Sequence, residues 1–277
     1  MYCLFMIFAK NESNMELVGY LASILIGISL GLIGSGGSIL TVPVLVYLFQ
    51  VNPILATTYS LCIVGLSSIA GVISRMKQQL VDIKTIVIFG IPSVIGVFIA
   101  RKFFLPNIPD TIHLGNTLIS KSNFIMLFFA SLMLVSALSM ILGKNKKEVE
   151  GVMPVYGFAL MMVGLGEGML TGIVGAGGGF LIIPALVILG KLPMKKAIAS
   201  SIFIISIKSI VGFVGDISHT TIDWNFLIVI VLLATLGIII GNYLNKKMDG
   251  AKLKKGFGWF VFVMASVIFI EQFFFGK

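Results

Sequence analysis

The sequence predicts an all-α, polytopic membrane protein, and three observations carry that expectation. Of the 277 residues 58% are apolar and only 11% are charged, where soluble domains carry roughly twice that charge. The apolar positions gather into ten runs, eight of them close to the ~20 residues that a helix needs to cross ~30 Å of hydrocarbon. None of the runs has the alternating pattern of a membrane barrel, which leaves helices to satisfy the backbone in lipid. A mean hydropathy of +1.09 excludes a soluble enzyme, a DNA-binding protein and a disordered chain.

The runs fall at 17–33, 38–49, 55–74, 85–102 and 123–142, then at 153–172, 179–190, 197–214, 225–245 and 257–275. Two of them, 38–49 and 179–190, have only twelve residues. As helices they would be about 18 Å long, too short to cross unaided. Both follow a glycine cluster. Ahead of the first run, 1–16 has an apolar stretch with no basic residue before it, and it does not read as a cleavable signal. It is an interfacial appendage, or else Met15 is the true start. Cys3 and Cys62 form no metal-ligand pattern, and no metal or cofactor is expected.

The order of long and short runs repeats. Sliding the chain by 141 residues aligns the halves without a gap, and nine of nineteen positions are identical between 31–49 and 172–190. Ala56, Ser60, Ser68, Gly71, Asp82 and Gly96 also fall on Ala197, Ser201, Ser209, Gly212, Asp223 and Gly237. Chance matching of apolar residues does not put Gly, Ser and Asp in register. The expected organisation is a first repeat at 17–142, a linker at 143–152 and a second repeat at 153–275.

Charge sets the orientation. Loops 74–84, 143–151, 191–196 and 246–255 hold 14 of the 20 basic residues, which places them in the cytoplasm. Both termini are then outside a cell membrane crossed many times. The net charge of +9 thus reflects membrane orientation, with the bilayer rather than nucleic acid as partner. The loop after the third run is basic in the first half and acidic in the second, with Asp216 and Asp223. The two repeats therefore have opposite topology, each with four long helices and one half-helix after a Gly-rich break. Many secondary transporters are built this way.

The breaks are Gly34, Ser35, Gly36, Gly37 and Ser38 in the first half and Gly175, Ala176, Gly177, Gly178 and Gly179 in the second. Irregular backbone at membrane depth must line a cavity or lie buried in protein. Each break precedes a short helix that ends around a proline, Pro43 or Pro184. Two helix N-termini with free amides and positive dipole ends would make one midplane site for an anion. Glycines serving close helix packing are the plainer alternative.

The pattern G-x-x-G-x-G-G-x-x-x-x-x-P, present at 31–43 and 172–184 with A-x-x-x-S after each copy, resembles the TauE/SafE sulfite exporter family, also called the 4-toluene sulfonate uptake permeases. The resemblance covers about 17–275. It implies transport of sulfur-containing oxyanions such as sulfite or organosulfonates. The second copy departs from the first where Ser35 and Ser38 become Ala176 and Gly179.

Within the runs, Lys208 lies about 10 Å of helix from the nearer end, and an ammonium there is costly unless it meets a cavity or a partner. It contacts the anion or pairs with Glu167, and Glu167 in turn carries a coupling proton or simply neutralises Lys208. Ser60 and Ser201 point into the pocket or bond their own helix backbone. Asp82 and Asp223 read as helix N-caps. Motifs for an intramembrane enzyme are missing from the runs. The sequence thus points to a secondary-active anion transporter rather than an enzyme, with an anion channel of the same architecture as the rival.

Overall fold

In lipid a run of apolar side chains gains nothing by leaving the helix that satisfies its own backbone, and helices form along all ten runs. The computed structural model describes residues 12–34, 36–109, 111–114, 117–142, 155–217, 221–245 and 250–274. The first half contributes α1 (Glu12–Ile33), the short α2 (Gly36–Tyr47), α3 (Pro53–Lys77), α4 (Ile83–Asn107) and α5 (Lys121–Leu142). The second contributes α6 (Val155–Val174), the short α7 (Gly179–Ile188), α8 (Met194–Ile217), α9 (Trp224–Asn245) and α10 (Gly250–Phe274). Among the described residues seven helices are long and apolar enough to cross a membrane, namely α1, α3, α4, α5, α6, α8 and α9, and α10 adds a shorter apolar stretch at Gly258–Gln272. The chain is a multi-pass membrane protein.

One departure from pure helix lies in the long connection after α4. Thr111–Leu114 (β1) pairs antiparallel with Thr117–Ser120 (β2) in a small hairpin. It leaves the helical class unchanged.

Capping explains where several helices begin. The Asp82 Oδ1 accepts from the Thr85 amide at 2.8 Å, and the Asp223 Oδ1 from the Phe226 amide at 3.1 Å. Each carboxylate thus satisfies one orphan donor in a first turn, as expected of the two aspartates. The prolines behave differently from expectation. Pro43 and Pro184 lie inside α2 and α7 instead of ending them. A proline removes the donor to the carbonyl four residues back, which for Pro184 is the Phe180 carbonyl. The Ser136 hydroxyl of α5 donates to that oxygen at 3.2 Å, so the helix continues for another turn.

Helix pairing follows the 141-residue offset. The most extensive contacts join α1 to α9, α3 to α8, α5 to α10 and α4 to α6. Adding the offset turns the α1–α9 pair into the α6–α4 pair. Glycine makes both approaches close. A Cβ on Gly27 would lie 2.9 Å from the Gly237 Cα, and one on Gly96 would lie 2.8 Å from the Met169 amide and 3.1 Å from the Gly168 carbonyl carbon. Such backbone-to-backbone seating is what small residues provide between helices in lipid. The same exchange appears in hydrogen bonds. The Asp82 amide donates to the Ser200 hydroxyl at 3.0 Å, and the Asp223 amide to the Tyr59 hydroxyl at 2.9 Å. At the α3–α8 seam, the Ser206 hydroxyl donates to the Gly65 carbonyl, exactly one offset away, at 3.1 Å.

The half-helices sit at the centre of this arrangement. Ile39, Val42 and Leu45 of α2 pack with Phe180 of α7, Met126, Phe129 and Met133 of α5 and Ala265 and Ile268 of α10. Ile182 and Leu186 of α7 share a second cluster with Ile26 and Leu30 of α1 and Ile204 and Ile205 of α8. Side chains such as Leu21, Leu25, Ile91, Leu232 and Ile239 are exposed on the outer faces, where lipid covers them.

Candidate functional site

Both breaks in the backbone require glycine. Gly34 turns the chain after α1 with φ +79°, and Gly175, Gly177 and Gly178 carry φ values of +70°, +64° and +70°. Only glycine enters this left-handed region without penalty. Gly178 is the residue from which α7 starts. The breaks also meet: a Cβ on Gly177 would lie 3.3 Å from both the Ser38 Cβ and the Ser209 Oγ. The structure therefore brings Ser38 of the first break to Gly177 of the second. Ser35 lies outside the described residues. Ala176 and Gly179 are fully enclosed in the packed interior around the second break.

Beside Gly178 stands a buried ion pair. Lys208 Nζ of α8 donates to Glu167 Oε1 of α6 and, at 3.1 Å, to the Thr171 hydroxyl. The Ser93 hydroxyl of α4 donates to Glu167 Oε2 at 2.6 Å. Three helices thus converge on one carboxylate. A Cβ on Gly178 would run into Glu167 Oε1 and Thr171 and lie 2.6 Å from Lys208 Nζ. Of the two alternatives open for Lys208, pairing with Glu167 is the one present in this conformation. Lys208 is 0% exposed and Glu167 4%, so the pair is buried in the interior. Partnering on this scale is what makes two charges tolerable in the interior.

The matching place in the first half is apolar. Gly37 corresponds to Gly178, and its Cβ would meet the Ile26 carbonyl and Leu30 of α1. At Gly37 the plainer alternative, close packing, therefore describes the geometry. The offset sets Ile26, Leu30 and Ser67 where the second half has Glu167, Thr171 and Lys208. The glycines match at this offset, but the charges do not.

The serines divide. Ser201 donates to the Ile198 carbonyl of its own helix at 2.9 Å, and Thr41 of α2 likewise to the Gly37 carbonyl. Ser60, Ser68 and Ser209 are buried with hydroxyls that have no partner among the described residues. Ser68 and Ser209 are one offset apart, and Ser209 faces Gly177. A buried hydroxyl without a partner carries a desolvation cost, which a bound polar ligand would relieve.

Two arginines near the ends of apolar runs, one of them counted with loop 74–84, are buried. Arg75 belongs to α3 and donates to the Gly31 carbonyl at 3.0 Å and to Asn245 Oδ1 at 3.1 Å. Arg101 belongs to α4 and pairs with Asp216 of α8 at 2.6 Å. Sequence reasoning missed this second pair, together with Thr171 and Ser93. A signal existed. The offset sets Arg75 on Asp216 and Arg101 on Asn242, polar on polar within otherwise apolar helices. Among the described residues no group of three His, Cys, Asp or Glu side chains is placed to hold a metal ion.

The fold defines a multi-pass membrane protein, with two short half-helices and two buried ion pairs in its interior. Residues 20–268 match the family model described as sulfite exporter TauE/SafE, and the chain belongs to that family. It is similar to the "Probable membrane transporter protein" of Xylella fastidiosa (strain 9a5c), with 27% identity over 87% of this chain and 90% of that protein. It is 28% identical to the "Probable membrane transporter protein YunE" of Bacillus subtilis (strain 168), over 79% of this chain and 84% of the relative. The "Probable membrane transporter protein MJ0441" of Methanocaldococcus jannaschii is 26% identical over 82% and 85%. No solved structure matches the chain.

Proposed function

We propose that this membrane transporter is secondary-active and carries sulfur-containing oxyanions such as sulfite or organosulfonates, with one proton moving alongside the anion. The observation that carries the reading is the closed Lys208–Glu167 pair seated on Gly178, where the second break starts α7. The halves act as inverted repeats, and the contacts that exchange under the 141-residue offset support this. Rocking of one repeat against the other then exposes the pair to either face in turn.

The chemistry follows from charge balance. Lys208 and Glu167 together are neutral, so an arriving anion competes with the carboxylate for the ammonium. A proton on Glu167 removes that competition, and the anion takes over the ammonium. The positive end of α7 and the unpartnered hydroxyl of Ser209 complete its shell. Anion and proton therefore bind together, and an unaccompanied anion meets the desolvation penalty alone. Backbone and hydroxyl donors suit several oxyanions, which fits the family's description as sulfite exporters.

The test is flux of radiolabelled sulfite, sulfate, thiosulfate and alkylsulfonates into proteoliposomes, with and without a pH gradient. Saturable flux that follows the proton gradient is the expected result. Flux at channel rates that ignores the gradient would establish the channel instead.

A further inference from the structure

We propose that Arg101 forms a second oxyanion subsite, displaced from the central pair toward one end of the transport path. This rests on the anion-transport reading above and adds a place where the cargo pauses. Arg101 lies in a stretch of α4, Ala100–Phe104, wound as a π-helix, a distortion that recurs at functional positions because it re-aims side chains. Its side chain is enclosed among the first turns of α3, the end of α8 and the second glycine break. Nη1 is fully used, bonding Asp216 Oδ2 at 2.6 Å and the Thr57 hydroxyl at 3.1 Å. Asp216 is itself held by the Thr58 hydroxyl at 2.7 Å.

The other edge of the guanidinium is idle. Nε and Nη2 are buried and have no partner among the described residues. These two nitrogens form the side-on fork whose parallel N–H bonds fit two oxygens of a carboxylate, phosphate or sulfur oxyanion. Nη2 of this fork lies against Gly175, where any Cβ would collide with it and with Thr57. Gly175 at φ +70° lets the backbone seat against the guanidinium, so an oxyanion reaches the donor edge only when the second break draws back from α4 during transport. Two buried donors without acceptors are costly, and a passing oxyanion supplies two acceptors at once. Asp216 already balances the charge of Arg101, so the anion is held by hydrogen bonds rather than by net charge. Holding of that kind is weak and exchangeable, which suits a stage in transit. Asp216 follows Lys208 on α8 by eight positions, about 12 Å along the helix. The two subsites are thus separate.

Isothermal titration with sulfate, on detergent-solubilised full-length protein, distinguishes the possibilities. The wild type is expected to bind two sulfates per chain, and R101K and K208M one each. Lysine keeps the charge opposite Asp216 but lacks the fork, so the readout isolates the donor edge. Binding of two sulfates by R101K, or of a single sulfate by the wild type that is lost only in K208M, overturns the subsite and leaves the central site standing. A wild type that binds no tested oxyanion overturns both. Should R101K fail to fold, selenate in crystals of the unaltered chain gives the answer through its anomalous signal. A peak within hydrogen-bond distance of Arg101 Nε and Nη2 is expected, and selenate beside Lys208 alone would overturn the proposal.

Discussion

At the scale of single residues, the chemistry gathers on one carboxylate. Glu167 receives Lys208, Ser93 and Thr171 in the buried interior, so removing either charge strands the other. Lys208→Met is expected to destabilise the detergent-solubilised protein by about 3–5 kcal/mol, the usual cost of breaking a buried pair. The double variant K208M/E167Q should recover most of that stability in thermal melts while remaining inactive in flux assays. Recovery of transport with stability would reduce the pair to a structural role. Gly178→Ala puts a methyl group against Glu167 Oε1 and Lys208 Nζ at a left-handed φ, and flux should fall below a tenth of wild type. Gly166→Ala, where added carbon meets nothing within 4 Å, should transport normally in the same assay. Lys208 and Glu167 were legible in the sequence because a charge deep in an apolar run demands a partner. Thr171 and Ser93 were not, since a hydroxyl inside a helix usually bonds its own backbone, and only the approach of α8 and α4 to α6 reveals their part in the ion pair.

At the scale of helices, glycine and proline decide the packing. The α1–α9 and α6–α4 contacts seat Gly27 on Gly237 and Gly168 on the Ser93 backbone. Gly27→Leu and Gly168→Leu should therefore lower the melting temperature to a similar degree, although only the second lies beside the ion pair. A marked difference between them would contradict equivalent seams. Ser136→Ala leaves the Phe180 carbonyl without its donor, and a loss of about 1 kcal/mol in thermal stability is expected, with flux little changed. The glycine breaks and the half-helices were readable from composition and length. That α2 and α7 continue past their prolines was not, because the donor that rescues the Pro184 turn comes from α5, far away in the chain. The small hairpin after α4 was hidden for a related reason: Thr111–Leu114 and Thr117–Ser120 are too short for a pattern to register.

Across the whole molecule, positions matched in sequence carry unmatched charge. Gly, Ser and Asp residues match at an offset of 141, and contacts such as Asp82–Ser200 and Asp223–Tyr59 exchange under it. Burial of Arg75 and Arg101 was invisible in the sequence, because both lie close to the ends of their apolar runs, where a long cationic side chain usually reaches water. The opposite orientation proposed for the halves predicts opposite accessibility for matched connections. In a C3A/C62A background, cysteine at Thr221 should react with an impermeant thiol reagent in whole cells, and cysteine at Gln78 should not. Coupling of the anion to a proton through Glu167 is the central claim, and it is tested most directly in proteoliposomes loaded with a pH-sensitive dye. A sulfate gradient imposed across wild-type vesicles, corrected for protein-free liposomes, should acidify the compartment that the anion enters, and E167Q should abolish the acidification. Sulfate entry without any change in internal pH, or acidification that persists in E167Q, would contradict the account.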